Sequence, residues 1–309
     1  MKWQKKGLIF STDGQFAWMH SHAQCPTAIY LDNKIRIYFS ARTKQGESLP
    51  TFMDVDPENP SKIVYLHDQP ILNKGRLGTF DENGIIPSYL IEKDNKIYLY
   101  YAGWSQSKNV PYKNFTGLAI SSDNGLSFTK ISEAPVFTMN EHNPLSATGP
   151  CIFYRDNVYH SIYSTGTDWI EIDGKLEHTY LLAYAWSSNA IDWNFSGKIL
   201  ISPKDKYSAH CKPAMIYIND TYHLWFSTRG SHGFRNPGNT AYRLGYAQSK
   251  DFLDWTRMDE QAGITVSNSG WDTEMICYPH IINVRNRWYM FYNGNGFGKS
   301  GFGYAELEI

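Results

Sequence analysis

The sequence predicts an all-β protein, a five-bladed β-propeller with four-stranded antiparallel blades. Two observations carry that expectation. Aromatic residues make up 16% of the 309 residues while charged residues make up only 19%, a balance that favours strands over helices. A segment anchored on a proline also recurs five times, at Pro26, Pro87, Pro150, Pro213 and Pro279, in steps of 61, 63, 63 and 66 residues. Repetition at a fixed period is the mark of a repeat architecture.

Each copy has the same internal order. An apolar run leads into a two-residue turn and then an aromatic-rich alternating run, as in PTAIYLDNKIRIYFSAR from Pro26 and PAMIYINDTYHLWFSTR from Pro213. That is a β-hairpin pattern. The turns fall at Asp32-Asn33, Asp94-Asn95, Asp156-Asn157, Asn219-Asp220 and Arg285-Asn286. A third strand is expected at 117–121, 182–186, 244–248 and 302–305. After the first of these comes Ser121-Ser122-Asp123-Asn124-Gly125-Leu126-Ser127-Phe128, an Asp-box turn whose aspartate can bond its own backbone; degenerate versions end at Trp193 and Trp255. Longer loops are expected at 43–50, 105–115, 167–178 and 230–241, where they would cap one face. Radial repetition leaves only short edges, so residues 1–309 read as one propeller domain.

Composition narrows the function classes. With 29 Lys and Arg against 30 Asp and Glu there is no basic stripe, and nucleic acid is a poor partner. No run of about 18 apolar residues occurs, so no helix is expected to insert in a membrane. The N-terminal stretch offers only Leu8-Ile9-Phe10 as an apolar run, too short for a signal-peptide core, and a cytoplasmic location is expected. Cys25, Cys151, Cys211 and Cys277 each lie within two residues of a repeated proline but form no C-x-x-C pair. They read as reduced thiols packed as small hydrophobes near the axis, with no metal and no cofactor expected.

The innermost strand of each blade begins near the repeated proline, so the residues just before it should converge on a central funnel. Glu82 and Glu274 each lie five residues before their proline, with Asp81 and Asp272 close by as rival carboxylates. Glycosidic bond cleavage uses such a pair, one protonated acid and one carboxylate acting as base or nucleophile. His22 and His210 precede Pro26 and Pro213, and Arg42 and Arg229 occupy equivalent strand ends, where guanidinium groups could grip phosphate or carboxylate. Trp104, Trp169, Tyr112, Phe234 and Trp271 lie at blade ends or in inserted loops and could stack on a sugar ring. The glycine-rich stretch 294–301 follows a hairpin and opens no helix, so it reads as a flexible loop and not as a phosphate loop.

The hairpin pattern, the Asp-box relics and the segment Trp271-Asp272-Thr273-Glu274-Met275-Ile276-Cys277-Tyr278-Pro279 together resemble the five-bladed propeller glycoside hydrolase superfamily of arabinanases, xylosidases, invertases and mannoside phosphorylases. The resemblance implies that Glu274 is the general acid. It also implies an Asp directly before the first-blade proline, where this chain has Trp18-Met19-His20-Ser21-His22-Ala23-Gln24-Cys25 and no carboxylate. The expected function is therefore a carbohydrate-active enzyme that cleaves or transfers a glycosidic bond in the funnel. Glu274 with Glu82, Asp81 or Asp272 would do the chemistry, and His22, His210, Arg42, Arg229, Trp104 and Trp271 would hold the substrate. The alternatives are a non-hydrolytic protein that binds or tailors a sugar or nucleotide-sugar, a phosphate-dependent phosphorylase, and a scaffold that uses its rim.

Overall fold

The computed structural model describes residues 1–205, 207–230, 233–235 and 240–308, and they form an all-β, propeller-like structure. Its strands pair antiparallel in consecutive runs. The first run is β2 (Ser21–Leu31), β3 (Lys34–Arg42), β4 (Ser48–Val55) and β5 (Ile63–Leu66). Next come β6 (Gly84–Lys93), β7 (Lys96–Gln106), β8 (Tyr112–Ser121) and β9 (Thr129–Lys130). The third run is β10 (Ala147–Arg155), β11 (Val158–Ile172), β12 (Lys175–Ser187) and β13 (Asn194–Ile199). The fourth is β14 (Ala209–Ile218), β15 (Thr221–Arg229), β16 (Arg243–Ser249) and β17 (Thr256–Arg257). In the last, β18 (Cys277–Val284), β19 (Arg287–Asn293) and β20 (Phe302–Glu308) are completed by β1 (Lys2–Phe10) from the other end of the chain.

The hairpin turns follow from their residues. All ten residues of the five turns between first and second strands have φ between 46° and 66°, as a two-residue turn matched to strand twist requires. Asn and Asp tolerate that region, and Arg285 at φ 51° is the exception, held by Glu58 and by the Asn33 side chain of the neighbouring hairpin. The Asp-box forms as expected. Asp123 accepts from the Leu126 and Ser127 amides and from both serine hydroxyls, and buried Phe128 packs edge-on against Tyr38.

Apolar side chains fill the space between successive runs. Phe39, Phe291 and Phe302 join the last run to the first, Phe52, Leu99 and Tyr101 join the first to the second, and similar clusters continue around. The first strands close a ring, β2 against β6 and β18, β10 against β6 and β14, and β14 against β18. This ring surrounds the centre of the molecule.

Two expected loops are strands instead. Residues 105–115 are largely the ends of β7 and β8, and 167–178 extends β11 and β12 into a ribbon that turns at Asp173-Gly174. The pairing continues there because cross-strand partners persist from Asp168 and Thr179 to Ile172 and Lys175. Of the loop 230–241, residues 231–232 and 236–239 lie outside the described residues. The stretch 294–301 contains a short helical turn, α1 (Asn295–Gly298), with Gly296 and Phe297 left-handed.

Candidate functional site

Four of the five inner strands bulge at the residue before the repeated proline. Cys25, Gly149, Lys212 and Tyr278 all have positive φ, and strand register shifts at each. Proline cannot donate to the ladder, so the pairing must break there, and a bulge re-aims the neighbouring side chain. The freed amides find side-chain acceptors. Cys25 N–H donates to Asn293 Oδ1 at 2.7 Å, and Tyr278 N–H donates to Ser227 Oγ at 2.7 Å. On β6 the shift falls one residue later, between Pro87 and Tyr89.

These bulges line a central cavity of about 400 Å³, with Ile86 and Ser88 contributed by β6. Its charged lining is asymmetric. Among the described residues it holds the cations Arg42, Lys212, Arg229 and Arg235 and a single carboxylate, Glu177. Arg42 donates to Gln24 Oε1 at 3.0 Å. Arg229 donates to the His178 carbonyl at 2.6 Å and lies 3.7 Å above the Phe234 ring. Arg235 grips Glu177 with two parallel bonds of 3.0 and 2.9 Å. Lys212 is buried and donates to the Ser88 carbonyl at 2.5 Å. Burial pushes its ammonium below the ordinary lysine value. Trp104, Tyr112, Phe234 and Phe297 supply aromatic surface to the same cavity, while Gln24, Asn114, Ser146 and Thr148 supply neutral polar groups.

The structure brings Arg42, Arg229 and Trp104 into this lining, together with Tyr112 and Phe234. It does not bring the four expected carboxylates there. Asp81 is buried and accepts from Lys130 Nζ at 2.6 Å and Tyr101 Oη at 3.1 Å. Asp272 repeats this arrangement with Lys5 at 2.7 Å and Tyr292 Oη at 3.1 Å. In the third run Tyr163 Oη donates to Asn143 in the same way, which makes the trio a latch of the repeat. Glu82 precedes the start of β6 and accepts the Gly78 amide at 2.6 Å, closing its own loop. Glu274 precedes β18; its backbone is fixed by Asn295 Oδ1 and by Arg243, and its side chain is not among the cavity lining.

The histidines behave as structural groups. His210 is buried beside Arg257, with Nε2 3.2 Å from the guanidinium, and burial first and Arg257 second push it down to about 3. His22 lies outside the lining and bonds Ser21 Oγ at 2.9 Å; burial, then Arg42 and Lys299, lower it to about 4. Trp271 stacks on Tyr292 with ring centres 5.1 Å apart, and Trp169 lies flat on His178 at 4.4 Å. Burial raises the thiols of Cys25, Cys151 and Cys211 to about 12, 11 and 11, so they are protonated neutral packing groups.

Lys212, Glu177 and Arg235 carry no role in the sequence reading. Lys212 had a usable signal, its place directly before a repeated proline, shared with Cys25, Gly149 and Tyr278. Glu177 and Arg235 had none, because they arrive from a ribbon and a loop that do not repeat.

No protein-family model matches the chain. Two Mycobacterium tuberculosis proteins, the uncharacterized proteins MT1551 (strain CDC 1551 / Oshkosh) and Rv1502 (strain ATCC 25618 / H37Rv), are each 33% identical over 310 residues, covering 100% of both chains. Among solved structures, a glycosyl hydrolase from Bacteroides ovatus superposes with a TM-score of 0.74 at 17% identity, covering 99% of this chain and 93% of that one. A member of the GH130 family of mannoside phosphorylases, a family containing glycoside hydrolases that target β-1,2-mannosidic linkages in Candida mannan, gives 0.74 at 16% identity over 99% and 94%. A thermostable family-43 glycoside hydrolase gives 0.65 at 15% identity over 97% and 92%. At these identities the likeness is one of fold. No helix among the described residues is long and apolar enough to cross a membrane.

Proposed function

The chain belongs to the same family as the mycobacterial proteins MT1551 and Rv1502, and from that premise we propose that it is a single five-bladed propeller of four-stranded blades whose central cavity binds an anionic carbohydrate, a sugar bearing phosphate or carboxylate or linked to a nucleotide. The observation that carries the reading is the charge of the lining, with three arginines and a lysine around one carboxylate that is itself claimed by Arg235. In a partly enclosed site such groups attract an anion more strongly than at an exposed surface. Arg42, whose Nε alone is bonded to Gln24, offers a forked donor to phosphate or carboxylate oxygens, and Arg229 adds positive charge behind it. Trp104 and Tyr112 give flat apolar surfaces for a sugar ring, and Gln24, Asn114 and Thr148 can exchange hydrogen bonds with its hydroxyls.

Calorimetric titration with sugar phosphates, uronic acids and nucleotide-sugars beside their neutral counterparts tests this. The anionic compounds should bind at least tenfold tighter, and Arg42→Ala should weaken them by roughly ten- to a hundredfold, the scale of one hydrogen bond to a charged group. Equal affinity for neutral sugars would overturn the reading.

Glu177 favours a second reading, transfer of a glycosyl group to phosphate. Two-carboxylate hydrolysis needs an acid and a base or nucleophile, whereas phosphate can itself attack the anomeric carbon. A single acid then protonates the departing oxygen as the glycosidic bond breaks and the new carbon–oxygen bond forms. Glu177 would serve only after Arg235 releases it. Sugar phosphate formed from a glycoside and inorganic phosphate, and lost in Glu177→Gln, would support the transfer. Turnover lost instead in Glu274→Gln would return the chemistry to the Glu274 and Glu82 pair.

A further inference from the structure

Lys212 differs from the arginines of the cavity in being an amine, whose charge burial can remove where a guanidinium keeps its own. Like Arg42 and Arg229 it forms no ion pair with any described residue, and it spends one proton on the Ser88 carbonyl. It is only 4% exposed, and its backbone sits at φ 48°, in a region that an L-residue enters at a cost of about 1 kcal/mol. The groups that act on it directly are neutral: Cys25 from β2, Cys151 from β10, Cys211 from β14 itself and His280 from β18. Tyr180, Tyr278, Arg42 and Arg229 stand in the cavity wall, and Glu177, the one carboxylate of the described lining, is held by Arg235. No described carboxylate pairs with the ammonium. Such a charge is costly unless paired, and an arriving anion supplies the missing partner.

Resting on the anionic-ligand reading above, we infer that Lys212 selects for anions in this cavity and takes up its proton as the anion arrives. An opposite charge within about 4–6 Å favours the ammonium. Between the lysine's value in the empty site and its value in the occupied one, each anion therefore carries one proton in. Affinity is flat at low pH, where the amine is already charged, and falls as pH rises through that window.

Sulfate is a suitable probe, because its charge is constant across the range. The full-length protein is titrated with sulfate by calorimetry from pH 6 to 9.5 at fixed ionic strength, each pH in two buffers of different ionisation enthalpy. The neighbouring groups are silent there. His22 and His178 are lowered to about 4 and His280 to about 3, while burial holds the thiols at about 11 to 12. The expected result is proton uptake on binding, at most one per sulfate, with affinity falling by up to about tenfold per pH unit. Lys212→Arg should bind with no such pH dependence, because guanidinium stays charged. Lys212→Met should bind at least tenfold more weakly. Sulfate binding with constant affinity and no buffer dependence would overturn the inference while leaving the anionic-ligand reading intact. No sulfate binding at any pH, beside measurable binding of neutral sugars, would overturn both. The wild-type buffer series needs no variant, so misfolding of a substituted protein does not obscure the answer.

Discussion

Lys212→Met should make the empty protein more stable. Lysine and methionine have similar length, and the left-handed backbone is common to both, so its strain cancels. The change removes a buried ammonium with no acidic partner among the described residues. Replacing buried charge with a well-packed apolar side chain gains up to a few kcal/mol in proteins where it has been tested. Against this stands the lost bond from the ammonium to the Ser88 carbonyl, worth about 1.5–3 kcal/mol as a bond to a charged group. A net gain of up to about 1 kcal/mol remains, which for a chain of this length raises Tm by up to about 2 °C. The pH dependence gives the sign. Burial lowers the folded-state value of Lys212 below its unfolded value of about 10.4. Its cost to folding is fully present below the folded value and fades as pH rises, vanishing above about pH 10.4. The advantage of the variant should therefore shrink on going from pH 6 toward pH 10. Urea unfolding of both proteins at several pH values measures this. A variant less stable by more than about 1 kcal/mol at pH 7, or a difference that ignores pH, would show that the ammonium is well partnered and refute the reasoning.

Three further outcomes follow from the same structure. Asp81→Asn and Asp272→Asn each strand a lysine and weaken a latch between strands, so each should lose about 1–3 kcal/mol in urea unfolding while anion binding stays within twofold; lost binding with unchanged stability would place these carboxylates at the ligand. Burial alone would raise the Asp54 carboxyl, but bonds from Arg36 and Lys34 hold it below the usual range, so its contribution is present above about pH 4 and lost as pH falls through its lowered value. Asp54→Asn should flatten the acid limb of the stability curve, and an unchanged limb would contradict the assignment. Asn157→Ala removes a side chain suited to the left-handed backbone at φ 63°, together with the bond it accepts from Tyr154 Oη, and should lose about 1 kcal/mol, read as a lower urea midpoint with unchanged slope.

The hairpins, their turns and the Asp-box were legible because each is local. Asp32-Asn33 or Ser121 to Phe128 determines its own conformation through short-range bonds, and the repeat confirms the pattern by recurring. The centre was legible only in part. Counting back from the proline placed Cys25 near the axis, where it lines the cavity, and placed Glu82 and Glu274 there too, whereas both precede the start of their inner strands at Gly84 and Cys277. Neither is among the described lining residues, which in the third run begin at Ser146, four residues before Pro150. The arginines were found because Arg42 and Arg229 close their strands at equivalent positions. Glu177 was not, because a hairpin extension reads as a polar loop until pairing shows that Glu177 faces the cavity opposite Ile170 on the ribbon. What chemistry a propeller centre holds is thus decided by two non-repeating features, the residue chosen at each bulge and the insertions that fold back over it. In this chain those features supply Lys212 and the Arg235–Glu177 pair, while the repeat itself supplies Arg42 and Arg229, so the basic residues of the described lining outnumber its one carboxylate.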